Sequence, residues 1–244
     1  MRKIYSKSIY AAAACFIFII SSSFIQGDSP CDKMDLMKEG SVYTLTTFSA
    51  DEDTQGVTVC TSGKRRFSAT GMETNYTMST AFAGDTIKVD KDFSMICNKG
   101  FYYIDIKAVL PPSVLRGYER LKTVHYSGRL SYSLEESLQG ALPDAQQNIR
   151  IFDMENEMAN ITIKFINRIA GGKEEIKTSA GAYMTYIVTG DMHISTSMLG
   201  MEMPAKKYKL RQWFSATRGI VRSEMLDTEG KLINYTVLTN LAAK

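Results

Sequence analysis

Lys207-Tyr-Lys-Leu-Arg-Gln-Trp-Phe214 places Tyr208, Leu210, Gln212 and Phe214 on one side and Lys207, Lys209, Arg211 and Trp213 on the other, charged and largely apolar side chains alternating as far as Arg211. A period of two is the signature of a strand with one wet face. Asn160-Ile-Thr-Ile-Lys-Phe-Ile-Asn-Arg-Ile169 repeats the pattern, placing Ile161, Ile163, Phe165 and Ile169 on one side and Thr162, Lys164 and Arg168 opposite. Turn chemistry punctuates such runs at Asp51-Glu-Asp-Thr-Gln-Gly56, Gly84-Asp85, Asn98-Lys-Gly100, Gly171-Gly172, Gly190-Asp191 and Asp227-Thr-Glu-Gly230. Each supplies a glycine able to take the positive φ of a tight reversal. Val221 to Leu226 and Lys231 to Leu241 read as a terminal hairpin. The fold class expected is all-β, a mainly antiparallel, strongly curved or barrel-like sheet.

One short helix interrupts the strands. Pro111-Pro-Ser113 opens it, and Val114, Leu115, Tyr118 and Leu121 share a face while Arg116, Glu119 and Arg120 face water. Its expected role is to plug an end of the curled sheet or cover an edge.

The chain starts with Arg2, Lys3 and Lys7, followed by twelve uncharged residues from Ile9 to Ile20 and then Ser21-Ser-Ser23. A membrane-crossing helix needs about twenty apolar residues, so this stretch reads as a signal peptide, residues 1–27, removed near Gly27. Residues 28–244 then form a single β-rich exported domain. Cys15 lies inside the apolar run and Cys31 follows Asp28-Ser-Pro30; neither context is a good lipidation signal, and a soluble form in the periplasm or cell envelope is preferred.

Three of the 29 basic residues lie in the signal, leaving 26 against 26 acidic ones. A near-neutral chain lacks the field that dominates phosphate binding, so nucleic acid is not an expected partner. Attachment to anionic lipid is weakened likewise, and membrane contact is peripheral or absent. An oxidising compartment permits one disulfide among Cys31, Cys60 and Cys97, with three pairings open.

Catalytic chemistry is thinly served. The two histidines, His125 and His193, lie on apparent strands away from any G-x-S-x-G pattern. Cys60 and Cys97 have no second ligand at zinc spacing. Met184, Met192, Met198, Met201 and Met203 crowd near His193, a set that could offer soft ligands to Cu(I), line an apolar surface, or simply fill a core. No catalytic residue, metal site or cofactor is assigned, and the chain is read as a non-enzyme.

Several short motifs in order resemble the TapB-like exported proteins of Gram-negative bacteria. They are Cys97-Asn-Lys-Gly-Phe-Tyr-Tyr-Ile-Asp-Ile-Lys107, Leu110-Pro-Pro112, Leu142-Pro-Asp-Ala145, Asn167-Arg168 with Lys173-Glu174, Thr178-Ser-Ala-Gly-Ala-Tyr183, Gln212-Trp-Phe214 and Gly219-Ile-Val-Arg-Ser223, closing into Gly230, Tyr235 and Leu238. The resemblance covers nearly all of the mature chain. Its members usually carry a cysteine just after the signal and another before the Lys-Gly turn, which implies pairing of Cys31 with Cys97; Cys60 has no counterpart. Ser133 and Ser179 stand where the family tends to have proline. The resemblance implies an envelope protein with a curved antiparallel sheet, and no reaction. The expected role is binding of an apolar or lipid-like molecule or of an envelope protein; the alternatives are an assembly partner acting through a sheet edge, and a copper-binding protein.

Overall fold

The computed structural model describes residues 30–242, apart from 69–70, 85–87, 111–120, 127 and 136–138. The export segment and the helix expected from Pro111 lie outside the described residues. Two short 3-10 turns, Pro30–Lys33 and Asp35–Met37, precede the first strand. The strands are β1 (Val42–Ser49), β2 (Thr54–Ser68), β3 (Gly71–Phe82), β4 (Lys88–Asn98), β5 (Phe101–Asp105), β6 (Lys122–Tyr126), β7 (Arg129–Ser133), β8 (Gly140–Ala141), β9 (Ala145–Asp153), β10 (Asn156–Thr178), β11 (Gly181–Met198), β12 (Met201–Glu202), β13 (Lys206–Ser215), β14 (Gly219–Leu226) and β15 (Leu232–Ala242). A third 3-10 turn, Ile106–Ala108, follows β5.

All fifteen strands join one sheet, in the order β6-β9-β10-β11-β13-β14-β15-β1-β2-β3-β4-β5-β7, with β8 added to β10 and β12 to β11. Every pairing is antiparallel. The two strands ending this path, β6 and β7, are neighbours in sequence, separated only by residues 127–128. Three residue steps reach ~10 Å at most, so the sheet must curl until its ends meet there. It forms a strongly curled half-barrel. Gly128 marks the meeting point: its carbonyl accepts from the Ile106 amide at 3.0 Å. A Cβ on Gly128 would stand 2.1 Å from the Gln146 carbonyl oxygen of β9, so no larger residue fits between the edges.

Two expectations change. Gly171-Gly172 and Gly190-Asp191 are not turns; both lie within a long β10–β11 hairpin that reverses at Ser179-Ala180. Register shifts at Ile166/Ile169 and Gly171/Lys173 absorb the extra residues as bulges. At the first, Asn167 takes a positive φ of 55°, and the extra residue inverts the face of those that follow until the second bulge. Ile161, Ile163 and Phe165 point inward as expected, yet Ile169 is 53% exposed and Arg168 is only 3% exposed. Gly190 leaves room for this inversion, because a Cβ there would stand 3.1 Å from Arg168 Cγ.

Arg168 and aromatic rings fill one end of the half-barrel. Tyr132 of β7 stacks on Phe214 of β13 at 4.6 Å between centroids, and Tyr102 and Tyr186 flank Phe214 at 5.6 and 5.3 Å. The hydroxyl of Tyr132 donates to Gln212 Oε1 at 2.8 Å, and that of Tyr186 donates to the Ser133 carbonyl at 2.9 Å. The N-terminal turns close the same end. Met34, Leu36 and Met37 are buried there, the Leu36 carbonyl accepts from Tyr76 Oη at 2.7 Å, and the Met37 carbonyl accepts from Arg65 Nε at 2.7 Å. Asp35 pairs with Arg218 and Lys38. Cys31 and Cys97 are joined by a disulfide with Cα atoms 5.7 Å apart, which fastens this plug to β4. Cys60 is free and buried.

Candidate functional site

Toward the other end the inward faces do not meet. A cavity of about 230 Å³ remains, floored by Leu36 and Tyr102 and walled by Leu45, Met78, Phe82, Met192, Leu210, Met225 and Leu238. Alternation on each strand produces this wall: on β15, for example, Asn234, Thr236 and Leu238 face inward together. Leu110 and Leu121, on either side of the residues left undescribed, also line it.

Polar groups in the wall are mostly satisfied by each other. Thr47 and Thr236 hydroxyls share a hydrogen bond at 2.9 Å, and Thr58 and Thr80 share one at 3.0 Å. Tyr102 Oη donates to the Met95 sulfur. Burial pushes the Tyr43 and Tyr102 hydroxyls far above their ordinary range, so both stay neutral. Two lysines reach the cavity. Lys107 Nζ donates to the Asp92 carbonyl at 2.8 Å and lies 3.5 Å from Asp105 Oδ2. Lys91 has no hydrogen bond or ion pair among the described residues, and burial, with a contribution from the Lys107 charge, pushes its ammonium down to about 8.

The residues singled out from the sequence do not converge. His125 lies on β6, on the edge of the sheet. His193 is half-buried on β11, on the opposite face from its neighbours Met192 and Ile194, which are buried. Among the methionines, Met192 is 1% exposed and faces the cavity, whereas Met201 is 66% exposed and Met184 is exposed at the far end of β11. They offer no shared set of thioethers with His193. Among the described residues, no group of three or more His, Cys, Asp or Glu side chains is placed to hold a metal ion.

Lys91 was not singled out from sequence, although a signal was present. Lys91, Phe93, Met95 and Cys97 alternate along β4, so a lysine occupies the apolar phase of a strand whose other inward residues are buried.

Residues 38–238 match a family profile described as DUF3108-like. The chain belongs to the DUF3108-like family. No curated protein matches it. Two solved structures share the fold of this DUF3108-like protein. A Parabacteroides distasonis protein, provisionally described as a lipoprotein, is 20% identical with a TM-score of 0.71, over 84% of this chain and 96% of its own. A Bacteroides fragilis protein, provisionally described as exported and having a YmcC-like fold, is 18% identical with a TM-score of 0.66, over the same shares of the two chains. At these identities the likeness is one of fold.

Proposed function

We propose that this DUF3108-like protein is an exported, non-catalytic protein of the cell envelope that holds an apolar or lipid-like molecule inside its half-barrel. The observation that carries the reading is the cavity: a curled sheet plugged at one end and, among the described residues, unfilled toward the other, with Leu45, Met78, Met192, Met225 and Leu238 turned into the space. Ligands favour such mouths, where apolar walls surround a few fixed polar groups. Export is supported by the basic-then-apolar start of the chain, by the resemblance to TapB-like exported proteins, and by the descriptions of the two structural relatives as a lipoprotein and an exported protein.

The assembly reading, in which a partner strand adds to a sheet edge, has less support. On the edge strand β7, the Ser131 and Ser133 carbonyls accept from Arg168 and Tyr186, and these side chains cover the groups a partner would need.

Native mass spectrometry of the protein purified from its own cells tests the proposal. A retained small molecule, lost when Leu210→Trp fills the cavity, is the expected result. A bare polypeptide mass, together with no uptake of the neutral dye Nile red, would count against it.

A further inference from the structure

We propose that the cavity selects a single-chain amphiphile with an anionic head, its chain lying among Leu45, Met78, Met225 and Leu238 and its head paired with the Lys91 ammonium. This rests on the binding role proposed above and names the class of ligand.

The first ground is where Lys91 sits. Cys97 lies at the plugged end of β4. Lys91 comes six residues earlier on the same inward face, which at ~3.3 Å per residue places it ~20 Å toward the unfilled end. Met78 of β3 stands directly opposite it in register. An ammonium beside apolar neighbours is costly to hold without a partner, and none is present among the described residues.

The second ground is the arrangement of the other charges. Lys107 is occupied by Asp105 and the Asp92 carbonyl, whereas Lys91 has no such partner among the described residues. Asp90 also lines the cavity but is exposed to solvent. Within the wall, the unmet electrostatic demand is for a negative charge at Lys91.

Size supplies the third ground. The cavity's volume of about 230 Å³ lies below the roughly 300–1,000 Å³ of pockets that enclose drug-sized molecules. One unbranched chain suits this space better than a ring system or a two-chain lipid.

A carboxylate and a phosphate monoester would satisfy Lys91 alike. The test is therefore a titration of the mature protein at pH 7 with dodecanol, dodecanoate, dodecyl phosphate and dodecyltrimethylammonium, each below its aggregation limit, for the native chain and Lys91→Met. One or both anions should bind at least ~10-fold more tightly than dodecanol, and the stronger of the two identifies the head. In Lys91→Met that preference should vanish while dodecanol binds as before. If Lys91→Met does not fold, the native protein answers alone: the advantage of dodecanoate over dodecanol must shrink as pH is raised past about 8. Equal binding of anion and alcohol, preference for the cation, or an anion preference that survives Lys91→Met would overturn the anionic-head assignment and leave the apolar-cavity reading standing. Failure of all four to bind would overturn both.

Discussion

Arg168 of β10 donates through Nη2 to the Ser131 carbonyl of β7 at 2.9 Å, joining two strands near opposite ends of the sheet path. Nη1 of the same guanidinium donates to the Pro143 carbonyl at 3.0 Å, and its carbon lies 5.0 Å from the centre of the Tyr132 ring. A buried cation thus helps to hold the curl of the sheet from inside. Arg168→Met strands two carbonyls and removes the stacking, and is expected to cost about 3 kcal/mol in urea unfolding. Arg168→Lys should recover less than half of that, because a point-like ammonium cannot span both carbonyls.

Tyr132 and Gln212 make a second tie across the same end. Tyr132→Phe keeps the stacking on Phe214 but leaves Gln212 Oε1 without its donor. The expected loss is about 1–3 kcal/mol. Pairing it with Gln212→Met removes the stranded oxygen, so the double variant should be more stable than Tyr132→Phe alone, and a double-mutant cycle by chemical denaturation measures the difference.

The Cys31–Cys97 bridge spans 66 residues. Closing a loop of that size in the unfolded chain is worth about 4 kcal/mol on the entropic account, and commonly less in practice. Cys31→Ser with Cys97→Ser should therefore lower stability by about 2–4 kcal/mol. The Cys60 thiol is pushed up to about 12 by burial, so it should resist Ellman's reagent in the native protein at pH 8 and react once after denaturation.

Lys91 offers a test that separates function from structure. Its ammonium is lowered from 10.5 to about 8 on folding, so between those values the unfolded chain holds more protons than the native one, and Lys91 makes stability rise with pH. Below about 8 the charge is present in both states and opposes folding. Lys91→Met should accordingly stabilise the protein at pH 7 by ~1–2 kcal/mol after allowance for partial exposure, and the gain over the native chain should shrink as pH approaches 10.5. A residue that costs stability and confers selectivity is the pattern expected of a binding group.

The strands of this fold are legible because alternation survives in Lys207–Arg211 and in Ile161–Phe165; Trp213, expected on the wet face, is instead buried, its indole N–H donating to Glu174 Oε2 at 2.8 Å. Legibility ends at Asn167. A bulge inserts one residue without changing composition, so Arg168 reads as solvent-facing from sequence and is in fact the buried tie across the half-barrel. Glycines mislead in the same place: Gly171, Gly172 and Gly190 serve bulges and a close approach within one hairpin instead of separate turns. The cavity is harder still, since it depends on which inward side chains fail to meet across the sheet. Met192 and Met201 look equivalent in the sequence and lie on the inside and outside of the structure.

Those methionines allow the cavity to be interrogated directly. With the methionine methyls labelled with carbon-13, the two-dimensional spectrum reports Met78, Met95, Met192 and Met225 inside the cavity and Met154, Met184, Met201 and Met203 on the surface. Titration with dodecanol should shift the inner four in a saturable manner and leave the outer four in place. Shifts confined to the surface methyls, or none at all, would contradict a ligand held within the half-barrel.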